Sequence, residues 1–150
     1  MTPKTVAIAS DHRGSPLKKE LILHLKTKGF QIKDFGTSSE ESCDYPDFGF
    51  LAAEAVGKGE CDRAIVICHS GIGMSIVANK VKGVRASLCR SVEEAELARQ
   101  HNNANVLSLG SGFTSQDLAK SIALKWLSTE FEGGRHERRL QKISSYEKKS

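Results

Sequence analysis

The stretch Cys68-His69-Ser70-Gly71-Ile72-Gly73-Met74 follows directly on the apolar run Ala64-Ile65-Val66-Ile67. A thiol, a hydroxyl and two glycines therefore stand where a buried strand should give way to a helix, the place at which open α/β sheets hold their ligands. Backbone amides freed by Gly71 and Gly73 would cradle an anion, and the positive end of the following helix favours a thiolate at Cys68. Phosphoryl transfer is disfavoured. A cysteine-based phosphatase loop sets an arginine six positions after its cysteine; Met74 stands there, so attack on phosphorus would lack its fixed guanidinium. The structural alternative for Cys68 is a small buried hydrophobe closing a strand.

Three further groups of residues are of types that carry chemistry. Ser10-Asp11-His12-Arg13-Gly14 follows the first apolar run, at the carboxyl end of an expected central strand. Asp11 there serves either a ligand or the cap of a helix beginning near Ser15, whereas His12 and Arg13 are not needed for a cap. His101 and Asn102 close an expected helix, where a histidine either transfers protons or sits favourably at the negative end of the dipole. Arg135 and Arg139 are four apart, so on a helix their guanidinium groups share a face and suit a phosphate, or form a solvated basic face. Tyr45-Pro46, after Asp44, reads as a loop before a helix, with Tyr45 packing or contacting a ligand.

These residues need a frame, and the chain supplies one. Apolar runs at residues 5–9, 30–35, 64–68, 84–88 and 105–109 read as five strands separated by helical segments, the pattern of a parallel sheet covered on both faces. Leu17, Leu21 and Leu25 recur every fourth residue among Lys18, Lys19, Lys26 and Lys28, giving an amphipathic helix that Gly29 ends. A second helix is expected over residues 48–56. Ser91-Val92-Glu93-Glu94 has the form of a capping box for a helix ending near His101. Leu118, Ile122 and Trp126 mark another one-sided helix, with Trp126 in the core. After Gly133-Gly134 a basic helix is expected from Arg135 to about Glu147, with a narrow stripe of Leu140 and Ile143.

The 150 residues suffice for one domain, spanning 1–150, with a full core. No targeting signal and no span of roughly 18 apolar residues is present, so a soluble protein of the cytoplasm is expected. Cys43, Cys61, Cys68 and Cys89 form no paired motif, and His12, His24, His69, His101 and His136 lack ligand spacing, so reduced thiols, no metal and no cofactor are expected. The net charge of +4 arises wholly in the last sixteen residues, which carry six Lys and Arg against Glu137 and Glu147. So short a basic tail is a poor footprint for nucleic acid; a phosphorylated small molecule or a partner subunit fits better.

Taken together, Ser10-Asp11-His12, Asp44-Tyr45-Pro46, Ile67-Cys68 with Gly71 and Gly73, Ala78-Asn79-Lys80, Gly83-Val84-Arg85-Ala86, Arg99-Gln100-His101-Asn102-Asn103 and Gly133-Gly134-Arg135-His136 resemble the ribose-5-phosphate isomerase B family, which also includes the galactose-6-phosphate isomerase subunits. The resemblance covers nearly the whole chain. It implies a Rossmann-like three-layer α/β/α sandwich and metal-free interconversion of ribose 5-phosphate and ribulose 5-phosphate through an enediolate, a step of the non-oxidative pentose phosphate pathway. A six-carbon sugar phosphate, allose or galactose 6-phosphate, is the nearest rival substrate, and a non-catalytic sugar-phosphate sensor is the rival of another class.

By the same resemblance Cys68 is the base, since Met74 stands where another branch of the family has its glutamate. Ser70 relays a proton between O1 and O2, and the amides of Gly71 and Gly73 bond the oxyanion. Asp11 and His101 assist ring opening, and Asn102 steadies the enediolate. His12, Arg135 and Arg139 hold the phosphate, and Tyr45 lines the sugar site. The site is shared between subunits of a homodimer or tetramer, the C-terminal helix reaching the partner. The chain departs from the family at His69, commonly glycine, and at Gly112, in many members a phosphate-binding arginine.

Overall fold

The computed structural model describes residue 3 and residues 5–149. Five strands, β1 (Thr5–Ser10), β2 (Gln31–Asp34), β3 (Arg63–Cys68), β4 (Ala86–Leu88) and β5 (Val106–Gly110), form one sheet in the order β2-β1-β3-β5-β4, and every neighbouring pair is parallel. Parallel neighbours require crossovers. These are the helices α1 (Ser15–Thr27), α2 (Tyr45–Gly57), α3 (Ile72–Asn79) and α4 (Val92–Asn102), followed by α5 (Gln116–Ser128) and α6 (Arg135–Glu147).

Alternation along each strand sorts the core into two unlike layers. Val6, Ile8, Ile65, Ile67, Leu107 and Leu109 point to one face, where α1, α4 and α5 cover them with Leu21, Ala98, Ile122 and the fully buried Trp126. Each Ile or Leu so buried contributes about 2 kcal/mol. The opposite face carries small residues, among them Ala7, Ala9, Ala64 and Cys68, and there α2 and α3 lie close on Ala52, Ala53, Met74 and Ala78. Cys68 thus belongs to the thin side of the sheet, beneath the start of α3. Among the described residues no helix is long and apolar enough to cross a membrane.

The elements follow the sequence pattern with four corrections. Tyr45 is not in a loop: α2 begins at Tyr45, because Asp44 has extended backbone and Pro46 sits in the first turn, where a missing N–H costs nothing. Lys18 does not share the exposed face of α1. Its side chain is 1% exposed, with Nζ 2.7 Å from both carboxylate oxygens of Asp34. β4 starts at Ala86 rather than Val84, since the Val84 N–H turns back to the Val81 carbonyl and the Arg85 N–H donates to Asn105 Oδ1. On α6 only Leu140 of the expected stripe is buried; Ile143 is exposed. The capping residue of α4 is as expected, Ser91 Oγ accepting from Glu94 N–H, but Glu94 Oε1 reaches back to the N–H of Arg90 instead of Ser91.

Candidate active site

Strand order decides where a ligand can sit. From β1 the chain moves to one side for β2 and to the other for β3, so the carboxyl ends of β1 and β3 open a crevice between them. Asp11 and His12 follow the first of these ends and the Cys68 loop closes the second. Asp11 is buried; its backbone N–H bonds the Ile67 carbonyl and its Oδ1 accepts from Gly14 N–H at 2.9 Å. That bond is the turn-holding role open to it from the sequence, and it leaves Oδ2 for a ligand. Cys43 N–H donates to His12 Nδ1 at 3.2 Å, so a neutral His12 carries its proton on Nε2 as a donor.

The Cys68 loop is held from below. Gly71 adopts φ 79°, and a Cβ there would stand 2.6 Å from Leu88 Cδ1 and 2.9 Å from the Leu109 carbonyl carbon, so only glycine turns the chain into α3 at this point. Ser108 Oγ, fully buried in β5, donates to the Gly71 carbonyl at 2.6 Å. Ser70 Oγ accepts from Ile72 N–H, keeping its own hydrogen to give. The first-turn N–H of Gly73 has no carbonyl within its helix to bond. A Cβ at Gly73 would strike the ring of Tyr45, 2.6 Å from Cε1 and 2.9 Å from the phenolic oxygen, so Tyr45 roofs the loop. Met74 is fully buried and its sulfur packs toward Gly49 of α2, which puts no second base beside Cys68 from this position.

The remaining predicted residues gather elsewhere. Helices that follow parallel strands run back against them, so α4 carries His101 and Asn102 to the amino-terminal edge of the sheet, near the start of β5. Cys68 lies at the opposite edge. The five residues of β5 alone span roughly 16 Å. Around His101 the imidazole of His136, at the start of α6, stacks at 4.3 Å, and both Nε2 atoms lie within 3.7 Å of Glu132 Oε1. Arg135 and Arg139 are exposed on the same helix. Arg99, 3% exposed, fastens this corner by donating to the carbonyls of Thr129 and Ala104 and to Asn103 Oδ1. Its burial lowers its pKa to about 10, so it remains a cation at neutral pH. The structure therefore unites Asp11, His12, Tyr45, Cys68, Ser70, Gly71 and Gly73, and separately His101, Asn102, Arg135 and Arg139.

Among the described residues, His101, Glu132 and His136 are the group whose ligand atoms, all within 4.8 Å of one another, are placed to hold a metal ion. Burial pushes the His136 pKa down, helped by His101 and Arg135 nearby and opposed by Glu132. A histidine that refuses its proton when folded makes stability fall as the pH drops below about 6.5, the unfolded value, until the depressed folded value is passed. Thermal melts from about pH 7.5 to about pH 5.5 should therefore show a loss in the parent protein that His136→Asn reduces. An equal loss in both would exclude this source.

Two of the three other thiols, Cys61 and Cys89, are buried. Burial pushes Cys89 up to about 11, with Glu94 adding to the shift, and raises Cys61, leaving both protonated at neutral pH. Three positioning residues receive no role from sequence reasoning: Ser108, Glu132 and Arg99, the last of which stands in a motif that carries the resemblance. Ser108 had a signal, a hydroxyl in the apolar strand Val106-Leu107-Ser108-Leu109, since a buried hydroxyl there must find an acceptor.

Known proteins share this sequence and fold over nearly the whole chain. The model of the family described as Ribose/Galactose Isomerase matches residues 6–143. Ribose-5-phosphate isomerase B of Escherichia coli is 44% identical over 146 residues, covering 97% of this chain and 98% of that protein. The solved ribose-5-phosphate isomerase B of Clostridium thermocellum is 52% identical with a TM-score of 0.95, covering 97% and 98% of the two chains. That of Mycoplasma genitalium, with bound ribulose-5-phosphate, is 47% identical with a TM-score of 0.96 over 100% of both. With the family model reaching from the second residue of β1 into α6 and including both groups of predicted site residues, the chain belongs to the Ribose/Galactose Isomerase family.

Proposed function

We propose that this protein is an aldose-ketose isomerase that interconverts ribose 5-phosphate and ribulose 5-phosphate. The reading is carried by a full-length relative solved with bound ribulose-5-phosphate, together with a cysteine at the mouth of the β1/β3 crevice under an open helix N-terminus. Asp11 Oδ2 and His101 open the sugar ring. The Cys68 thiolate then takes the proton from C2, and the electrons move to O1 as the enediolate forms. Gly71 and Gly73 amides bond that oxyanion, Ser70 passes a proton between O1 and O2, and Cys68 returns its proton to C1. Asn102 bonds the enediolate. Tyr45 packs along the sugar, and the phosphate is met by His12 Nε2–H, Arg135 and Arg139.

One chain holds these groups at opposite edges of its sheet, so His101, Asn102, Arg135 and Arg139 serve the Cys68 loop of a second copy. The minimum active unit is then a homodimer, and α6 is the element that reaches across. Support comes from the surface beside the loop, where Phe50, Leu51, Ile72 and Ile76 of α2 and α3 are 37–57% exposed, an apolar patch that a second copy would cover. The work belongs in the cytoplasm, where thiols stay reduced.

The test is ketose formation from ribose 5-phosphate, run beside allose 6-phosphate and without added metal. Turnover of the five-carbon sugar is expected to exceed that of the six-carbon sugar. Preference for allose 6-phosphate would reassign the substrate, and no turnover of either by folded dimer would replace the enzyme with a sugar-phosphate-binding protein.

A further inference from the structure

His69 and Gly112 lie 43 positions apart in the chain but compete for one place. A Cβ built on Gly112 would stand 2.5 Å from His69 Nδ1 and 2.8 Å from Nε2, and nearer still to Cε1. The imidazole fills the volume that a side chain at position 112 would need. It is not loose there. Phe113 meets it edge-on, ring centroids 5.7 Å apart, and the Arg90 guanidinium lies 4.7 Å from the centroid of the same Phe113 ring. Arg90 in turn donates to the Ser70 carbonyl at 3.4 Å. The three residues brace one another beside the Cys68 loop, with His69 covalently between Cys68 and Ser70.

The imidazole forms one wall of a cleft of about 460 Å³ whose lining also includes Arg13, Ser111, Thr114 and Gln116. Among the described residues no acidic side chain lines it. The first turns of α1 and α5 open into it, bringing the positive ends of two helices to the same space. Thr114 is 6% exposed, and among the described residues its hydroxyl finds no hydrogen-bond partner, a polar group that a ligand with acceptor oxygens would satisfy. Ser111 ties the cleft to the crevice. Its hydroxyl reaches the carbonyls of Arg13 and Cys68, and its N–H donates to Cys68.

We infer that His69, seated in the space left by Gly112, is a substrate-binding residue that with Arg13 takes the phosphate end of the sugar phosphate. The inference rests on the isomerase reading and adds a contact to it. A phosphate oxygen accepts from the imidazole N–H and from the guanidinium, and the role of His69 is affinity for the anion, with no proton transfer to Cys68.

The experiment is a cycle of His69→Ala, Gly112→Ala and the double variant, with KM and kcat measured for ribose 5-phosphate. His69→Ala is expected to raise KM about tenfold and to lower kcat less than about twofold, the signature of lost ground-state binding. Gly112→Ala should raise KM comparably by driving the imidazole from its seat. In the His69→Ala background it should add nothing, because the obstacle is gone. An unchanged KM in His69→Ala overturns the inference, and so does a Gly112→Ala effect of equal size in both backgrounds, which would mark a backbone effect. Calorimetric titration with inorganic phosphate separates the two readings. If the parent protein turns over no sugar, the isomerase reading fails. In that case phosphate binding weakened in His69→Ala still supports the anion site, and equal binding in both proteins overturns it.

Discussion

Cys68→Ala is expected to lower ribose 5-phosphate turnover by about 10³-fold, within the range that a positioned general base contributes, while leaving KM within about threefold. The fold should survive. Cys68 is 6% exposed at a strand end among alanines, so removing one sulfur leaves a small cavity costing about 1 kcal/mol. Met74 is buried and faces α2, so it offers no replacement base. A rate within tenfold of the parent would remove Cys68 from the proposed mechanism.

The same variant tests the division of the site. His101 and Cys68 occupy opposite edges of one sheet, so in the proposed dimer His101→Asn is expected to disable the site that contains the partner's Cys68 loop and to spare the site at its own. When Cys68→Ala and His101→Asn chains are mixed and reassembled at equal amounts, half of the dimers are mixed, and each mixed dimer holds one intact site. Activity should recover to about a quarter of the parent value. No recovery from two separately folded, mixed dimers would place both residues in a site made by one chain.

The legibility of this molecule follows the range over which its interactions act. The Cys68 loop was readable because its parts are adjacent: an apolar strand run, a thiol and two glycines within ten residues. Asp11 and His12 were readable for the same reason. The resemblance already implies that the eleven candidate residues are shared between subunits, but their types and spacing do not say where each one lies; the fold puts them at two ends of the sheet because α4 runs back against the strands and carries His101 and Asn102 away from the Cys68 loop. The competition between His69 and Gly112 was invisible because a glycine has no side chain to signal what occupies its space. Tyr45 lies only a turn of helix from the loop that its sequence suggests, yet that turn is what sets its ring over Gly73. Lys18 is hidden for a simpler reason: a lysine among lysines on an amphipathic helix looks solvated, and its partner Asp34 is sixteen residues away.

That ion pair gives the largest expected effect on stability. Lys18 Nζ bonds both oxygens of Asp34 at 2.7 Å, with the lysine side chain 1% exposed and the aspartate 38% exposed. The two partners are therefore unequal. Removing the carboxylate in Asp34→Ala strands an ammonium that water does not reach, at a cost of about 3 kcal/mol, the lower end of the range for breaking a buried pair because Asp34 itself faces solvent. Removing the ammonium in Lys18→Met leaves a carboxylate that water can solvate and replaces the buried stem with an apolar one of similar length, so the change should stay within about 1 kcal/mol. Urea unfolding of both variants measures the asymmetry, and equal losses would show that the ammonium is not trapped. Asp34 also steadies the crevice: its Oδ1 accepts from Gly36 N–H, while Ser10 N–H donates to the Gly36 carbonyl and Thr37 N–H to that of Ser10. Those bonds fix the end of β1 one residue before Asp11. Asp34→Ala should accordingly lose turnover at temperatures where it is still folded, and Lys18→Met should not, because the carboxylate that holds Gly36 remains.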